Sequence, residues 1–416
     1  MIYPDINIDL QQKDLTVTQL EDIIRSLYDL FGYLFRSIET NLIQRVCMKY
    51  IWQKENWNHF SWKSDEIINL LSTARKKQGF ILGKGDLFNL KELSYFISEE
   101  AMTTSEIEGE KLDRDSVRSS VAKRLGLPTA GLPNIRKETD GLVQLLLDAT
   151  SNYSAPLTKE KLWAWQAALF PTGYSGIHKI QSGKWRENTL PMQVISGSMG
   201  KEKIHFEAPP SKMIEQEILQ FNNWWNTEKK IDGILRAAVA HFWIVTIHPF
   251  EDGNGRIARA LTDMALAQDE KTGKRLYSLS SQINQDKISY YEVLEKTQKG
   301  SGDLTDWLKW FLHMFTRSID NSCKIIEGSI FRNSFYLNLD KIAVSERQKK
   351  VIRKLLEPYP KEFEGGLTNK KYVSMTKVSP ETAKRDIKSL VEKNILLKNE
   401  AKGRSTSYRL NSKFAE

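Results

Sequence analysis

Residues 234–247, ILRAAVAHFWIVTI, are apolar on nearly every face. The run is too short to span a bilayer and carries Arg236 and His241, which leaves a helix buried within a protein core. Pro249 cannot continue that helix, and the residue before a proline avoids helical dihedrals. His248 is therefore expected where a buried helix opens into a loop. The loop reads His248-Pro-Phe-Glu-Asp-Gly-Asn-Gly-Arg-Ile-Ala-Arg259, with Phe250 expected to turn back into the core. Glycines at 253 and 255 let the backbone approach a ligand closely. From Arg256 a second helix is expected, through Ala260, Leu261, Met264 and Leu266.

A loop that feeds a helix N-terminus presents free N–H groups and a positive dipole end, which is an anion site. Arg256 and Arg259 are three apart and share one face. Both fall in the first turn, where the dipole disfavours cations, so a bound anion such as a triphosphate is implied. Asp252 suits Mg2+ (or Mn2+), which favours carboxylates together with phosphate oxygens. His248 suits accepting a hydroxyl proton near neutral pH.

The loop fits the pattern His-x-Phe-x-Asp/Glu-Gly-Asn-Gly-Arg-x-x-Arg, and on these residues the chain resembles the Fic family. Further points of likeness are Gly183-Lys-Trp-Arg186 with the segment after it, Trp224-Trp225-Asn226, Tyr290-Tyr291 and Asp303-Leu-Thr-Asp-Trp307. The resemblance implies transfer of AMP from ATP to Ser, Thr or Tyr hydroxyls of target proteins, including the chain itself. It implies His248 as the base, Asp252 as the metal holder and Gly253, Asn254 and Gly255 as the phosphate cradle. Arg256 would stabilise the departing pyrophosphate and Arg259 would position the γ-phosphate. Val194 and Ile195 on the flap, with Tyr290 and Tyr291, would complete the nucleotide site.

Thr104-Ser-Glu-Ile-Glu108-Gly109 resembles the inhibitory motif of the family, Ser/Thr-x-x-x-Glu-Gly/Asn. The Glu108 carboxylate would pair with Arg259 and displace the γ-phosphate, because arginine binds carboxylates bidentately. In some relatives the same glutamate serves removal of AMP, so the reverse reaction is also implied. A homodimer is compatible with the resemblance.

The expected architecture is mainly α. Residues 1–45 read as a helical extension and 46–130 as a tryptophan-rich helical domain with the inhibitory helix. Residues 131–325 read as a Fic helical core, 326–345 as a linker and 346–416 as a small α+β winged helix-turn-helix. Within the second segment, helices are expected over 67–77, capped by Gly79, and over 87–100. In the core, alternating Met192, Val194 and Ile195, then Ile204 and Phe206, predict a β-hairpin flap over 190–210. Its edge would pair with an extended target segment.

The formal charge is +9, and residues 331–416 hold 20 Lys/Arg against 10 Asp/Glu, so the excess lies in the last segment. A basic terminal module on a near-neutral body points to nucleic acid. The third helix of the winged fold would present Thr382, Lys384, Arg385 and Lys388 to duplex DNA, with Arg404 on the wing reaching phosphates. This supports an alternative, a DNA-binding transcriptional regulator whose Fic core senses nucleotide. Two cysteines, Cys47 and Cys323, exclude a disulfide framework. With no basic-then-apolar leader at Met1-Ile-Tyr-Pro-Asp and no membrane span, a cytoplasmic protein is expected.

Overall fold

The computed structural model describes residues 49–85, 90–129, 131–187, 190–196, 203–357, 363–400 and 406–415. The extension expected over 1–45, Cys47 and Arg404 lie outside them. The fold is mainly helical, with three two-stranded antiparallel sheets among the described residues.

The helix expected from the apolar run, α7, spans Gly233–Ile247 and buries nearly every side chain. Asp232 caps it, accepting from the N–H groups of Ile234 and Leu235. The chain then turns and runs back as α8, Asn254–Glu270, packed along α7. This pair is the centre of the larger core. Ahead of the hairpins come α1 (Ser64–Leu82), α2 (Leu90–Ile107), α3 (Arg114–Arg124), α4 (Lys137–Ser151) and α5 (Lys159–Leu169). After α5 come the short hairpin β1–β2 (Tyr174–Ser175, His178–Lys179) and the longer hairpin β3–β4 (Gln193–Ser196, Lys203–Glu207). Helix α6 (Ile214–Thr227) leads into α7. Helices α9 (Leu279–Gln285), α10 (Lys287–Gln298) and α11 (Thr305–Leu339) close the body.

Two helices run further than their sequence periodicity suggested. Gly79 lies inside α1, and Gly83 occupies the C-cap. The apolar stripe Ile67–Ala74 continues to a fully buried Ile81, and that burial outweighs the weak helix propensity of glycine. Helix α2 likewise continues to Ile107, because Ala101, Met102, Thr104, Ser105 and Ile107 are buried.

The tryptophan-rich segment shares one hydrophobic core with the rest of the body, from Ile51 to Ile326. Trp57 and Phe60 pack edge-on against Trp243 of α7. Trp57 Nε1 donates to Glu217 Oε1 at 3.2 Å, and Arg75 of α1 pairs with Asp232 and Asp269 at 2.8 and 2.5 Å. The break near residue 130 therefore separates loops, not cores.

The stretch expected as a linker, 326–345, is helical through Leu339 as the second half of α11. The cause is burial: Phe335 and Leu339 enter a second, separate core. That core also takes α12 (Glu346–Leu356), α13 (Asn369–Thr376), α14 (Pro380–Glu392) and the hairpin β5–β6 (Leu396–Lys398, Tyr408–Leu410). Ser345, Thr368 and Ser379 cap the three helices through their hydroxyls, and Pro380 stands at the first helical position of α14. A buried Asp386 ties α14 to Arg347 at 2.6 Å and to Tyr372 at 3.0 Å. Among the described residues no helix is long and apolar enough to cross a membrane.

Helices α4 and α5 meet at Gly141, where an added Cβ would stand 1.8 Å from the Ala168 carbonyl oxygen. Gly141→Ala should therefore destabilise the body by about 1–3 kcal/mol. Thermal unfolding checks this, and an unchanged melting temperature would contradict the packing described.

Candidate active site

The junction of α7 and α8 is fixed by backbone locks. His248 is the C-cap of α7 and adopts left-handed dihedrals, φ 52° and ψ 59°. Arg186, itself 1% exposed, holds this corner: its Nε donates to the His248 carbonyl at 2.8 Å and its Nη2 to the Pro209 carbonyl. The Arg186 N–H donates to the Pro249 carbonyl at 3.0 Å. Inside the loop, Asn254 bridges back to Phe250, accepting from its N–H at 2.9 Å and donating to its carbonyl at 2.8 Å. Phe250 is fully buried. Helix α8 begins at Asn254, two residues earlier than its apolar pattern suggested, with Gly253 at φ 89° as its N-cap. No side chain caps that end. The Phe250 and Gly253 N–H groups are taken up within the loop by the Asn254 and Asp252 side chains, so the Asn254 side chain is spent on the loop itself.

His248 lines a cavity of about 740 Å3. Its Nδ1 lies 3.1 Å from the Val245 carbonyl, which can only accept. Nδ1 therefore carries the proton and Nε2 the lone pair. Burial pushes this imidazole down to about 4, and nearby Arg186 adds to the effect. The group is neutral and able to accept a proton throughout the neutral range.

Arg259 is 2% exposed. Its Nε donates to Thr104 Oγ1 at 2.7 Å, and its Nη2 to the Thr104 carbonyl at 2.9 Å and to Glu108 Oε1 at 2.6 Å. Burial raises the Glu108 carboxyl, but the Arg259 guanidinium outweighs this and holds it below the usual carboxylate range. The carboxylate sits directly over Gly255: a Cβ there would lie 2.1 Å from Glu108 Oε1. Gly255 therefore leaves the space above the helix N-terminus open, and Glu108 fills it. Gly109, at φ 83°, turns the chain away just after.

Arg256 points elsewhere. Its Nη1 donates to Glu110 Oε2 at 2.7 Å, and its guanidinium lies over the Phe170 ring. Asp252 accepts from the Gly253 N–H at 2.5 Å and from the Ser175 hydroxyl, and lies 3.6 Å from Arg256. Among the described residues no three His, Cys, Asp or Glu side chains cluster as a metal site. A cation at Asp252 would thus be held by one carboxylate, with phosphate oxygens and water completing its shell, a mode that suits Mg2+.

Val194 and Ile195 of the hairpin line the cavity, as do Tyr290 and Tyr291. Tyr290 is 2% exposed and has a second task. His241 Nδ1 meets Thr262 Oγ1 at 2.8 Å, and that hydroxyl already donates to the Ala258 carbonyl. The imidazole therefore donates through Nδ1, and its Nε2 accepts from the Tyr290 hydroxyl at 2.8 Å. Burial keeps His241 neutral, near 3.

The structure thus gathers Glu108, His248, Gly255, Arg259, Val194, Ile195, Tyr290 and Tyr291 around one cavity, with Thr104 holding Arg259. Thr382, Lys384, Arg385 and Lys388 belong to α14 on the second core, with the three basic residues exposed. Sequence reasoning missed Glu110 on Arg256, Ser175 on Asp252 and the clamp formed by Arg186.

Parts of this chain are similar to known proteins. Residues 156–266 match the profile of the Fic/DOC family, and residues 50–127 match a family described as "Domain of unknown function (DUF4172)". The protein adenylyltransferase Fic of Nematostella vectensis is 32% identical over 146 residues, covering 34% of this chain and 30% of that protein. A probable protein adenylyltransferase of Aquifex aeolicus (strain VF5) is 30% identical over 90 residues, 22% of this chain and 28% of that protein. The chain thus spans less than a third of the length of these relatives. A crystal structure of a Fic family protein from Desulfovibrio desulfuricans G20 aligns over 84% of this chain and 97% of that one, at 16% identity and a TM-score of 0.49.

The His248 tautomer and its lowered basicity are measurable. Nitrogen chemical shifts should report a neutral ring protonated at Nδ1, titrating near 4. A midpoint at the ordinary 6.5 would contradict the burial described.

Proposed function

We propose that this chain is an autoinhibited protein adenylyltransferase that moves AMP from ATP to Ser, Thr or Tyr hydroxyls of target proteins, itself among them. The observation that carries the reading is the Glu108 carboxylate bound to Arg259 above Gly255, beside a neutral His248. An anion site at a helix N-terminus, a buried guanidinium and an adjacent proton acceptor are what attack on a nucleotide phosphate requires.

In this reading ATP lies in the 740 Å3 cavity with its base between the hairpin and α10. A target segment pairs along the β3–β4 hairpin, whose Ile195 and Ile204 are exposed. His248 Nε2 takes the proton of the target hydroxyl. The hydroxyl oxygen bonds to the α-phosphorus as the bond to the bridging oxygen breaks, and pyrophosphate leaves. The loop N–H groups neutralise the leaving charge, joined by Arg256 once Glu110 releases it. A magnesium ion held by Asp252 would supply further charge neutralisation at the phosphates.

Glu108 opposes this by occupying Arg259, the partner of the γ-phosphate. ATP then binds in a pose that misaligns the α-phosphate. The same carboxylate, near His248, is suited to orient a water in the reverse reaction, removal of AMP.

Label transfer from α-labelled ATP with Mg2+ tests the reading in three forms of the protein. Glu108→Gly should raise transfer over the unmodified chain on the order of tenfold or more. Adding His248→Ala should abolish it. Equal labelling of all three forms, or none under any nucleotide, would overturn the proposal.

A second reading rests on α14. Its inner face carries Ala383, Ile387 and Leu390, while Lys384, Arg385 and Lys388 are exposed, on a segment of net positive charge. This supports a winged helix that docks α14 in the major groove of duplex DNA. Affinity should fall with salt, and Lys384→Ala with Lys388→Ala should reduce the slope of log affinity against log salt by about two. Undetectable or salt-independent binding would remove this reading and leave protein contact for the module.

A further inference from the structure

Behind Arg256 lies a second cavity, of about 390 Å3. Its walls are the turn after α2, the start of α4, the end of α5 and the β1–β2 hairpin. Arg256 lines this cavity and not the one that holds His248 and Arg259.

Two observations mark it as an anion site. First, Arg256 is 4% exposed, its buried Nε has no hydrogen-bond partner among the described residues, and its buried Nη2 has only the longer ion pair with Asp252 at 3.6 Å. The Ser105 hydroxyl, fully buried on the same wall, also lacks one. Buried donors of this kind are costly unless something accepts from them. Second, the start of α4 opens on the rim without a side-chain cap, and Arg136 and Lys111 stand there exposed. An uncapped helix start and two cations both favour an anion.

Three carboxylates also line the cavity: Glu110, Asp113 and Glu138. Asp113 is committed to capping α3 through the Ser116 N–H. Glu138 lies exposed in the first turn of α4. Of the three, Glu110 is the one bonded to the guanidinium, at 2.7 Å, with Asp252 of the loop further off at 3.6 Å; Glu110 is partly exposed, so it can leave toward solvent.

We propose that this cavity is a second anion site, plugged by Glu110, that takes inorganic pyrophosphate on the far side of Arg256. The choice of pyrophosphate rests on the adenylyltransferase reading, in which Arg256 meets the leaving group. The site gives the product a place to go without returning past the target. Arg256 Nε and Nη2 bind its oxygens with Ser105, and Lys111 and Arg136 neutralise its outer charge. Glu110 closes the site again when pyrophosphate has gone.

Calorimetric titration of the full chain with inorganic pyrophosphate, without nucleotide, tests the site. Glu110→Gln should tighten binding by about tenfold, since one charged competitor is removed. The rim variant Lys111→Ala with Arg136→Ala should weaken it by about tenfold and leave ATP affinity unchanged. Both rim residues are exposed, so an unchanged melting temperature certifies the fold. Absence of pyrophosphate binding in every form would overturn the proposal. So would binding that neither variant alters, which would place pyrophosphate in the His248 cavity alone. The readout is binding, so failure of AMP transfer is a separate result.

Discussion

A guanidinium with 2% of its surface in contact with solvent cannot stand alone, and Arg259 governs much of this molecule. Removing the partner of a buried charge is strongly destabilising. Arg259 must therefore always be covered, and Glu108 covers it here. In the proposed activity a phosphate would cover it in turn. One buried cation and two anions that exclude each other amount to a switch without any change of fold.

The helix that leads into Glu108 is anchored well away from the switch. On α2, Glu100 accepts from the Ser278 hydroxyl at 2.7 Å and the Ser280 N–H at 3.1 Å, and Glu106 accepts from Asn284 at 3.0 Å. Moving the whole helix would break all of these. The Glu108 side chain keeps 29% of its surface exposed, so rotation of that one side chain toward solvent is the less costly way to free Arg259. On the other side, Arg186, Asn254 and the left-handed turn at His248 hold the loop in one geometry before any ligand arrives, which suits a site that acts by positioning and charge.

The helical character, the buried α7 and the hairpin were legible because each rests on local periodicity. The pair Glu108–Arg259 was legible only through family resemblance, since 151 residues separate its members. Glu110 on Arg256 carried no comparable signal: an acidic residue past a helix end is ordinary, and its partner is set by how α2 lies across α8. Arg186 was noted as a landmark, yet its role depends on two carbonyls brought close only by folding. The extra turns of α1 and α2, and the helical course through 326–339, follow from burial against distant elements. Tyr290 was expected at the nucleotide; it lines the cavity, and its hydroxyl also belongs to the His241 network.

The central claim is that Glu108 stands where the γ-phosphate would bind. The most direct measurement is the ratio of ATP to ADP affinity, by calorimetry with Mg2+, in the unmodified chain and in Glu108→Gly. If Glu108 holds Arg259, the unmodified chain should bind the two nucleotides about equally. The variant should then favour ATP by about tenfold, through the freed guanidinium. The same ratio in both forms would mean that Arg259 does not read the γ-phosphate, and would contradict this account.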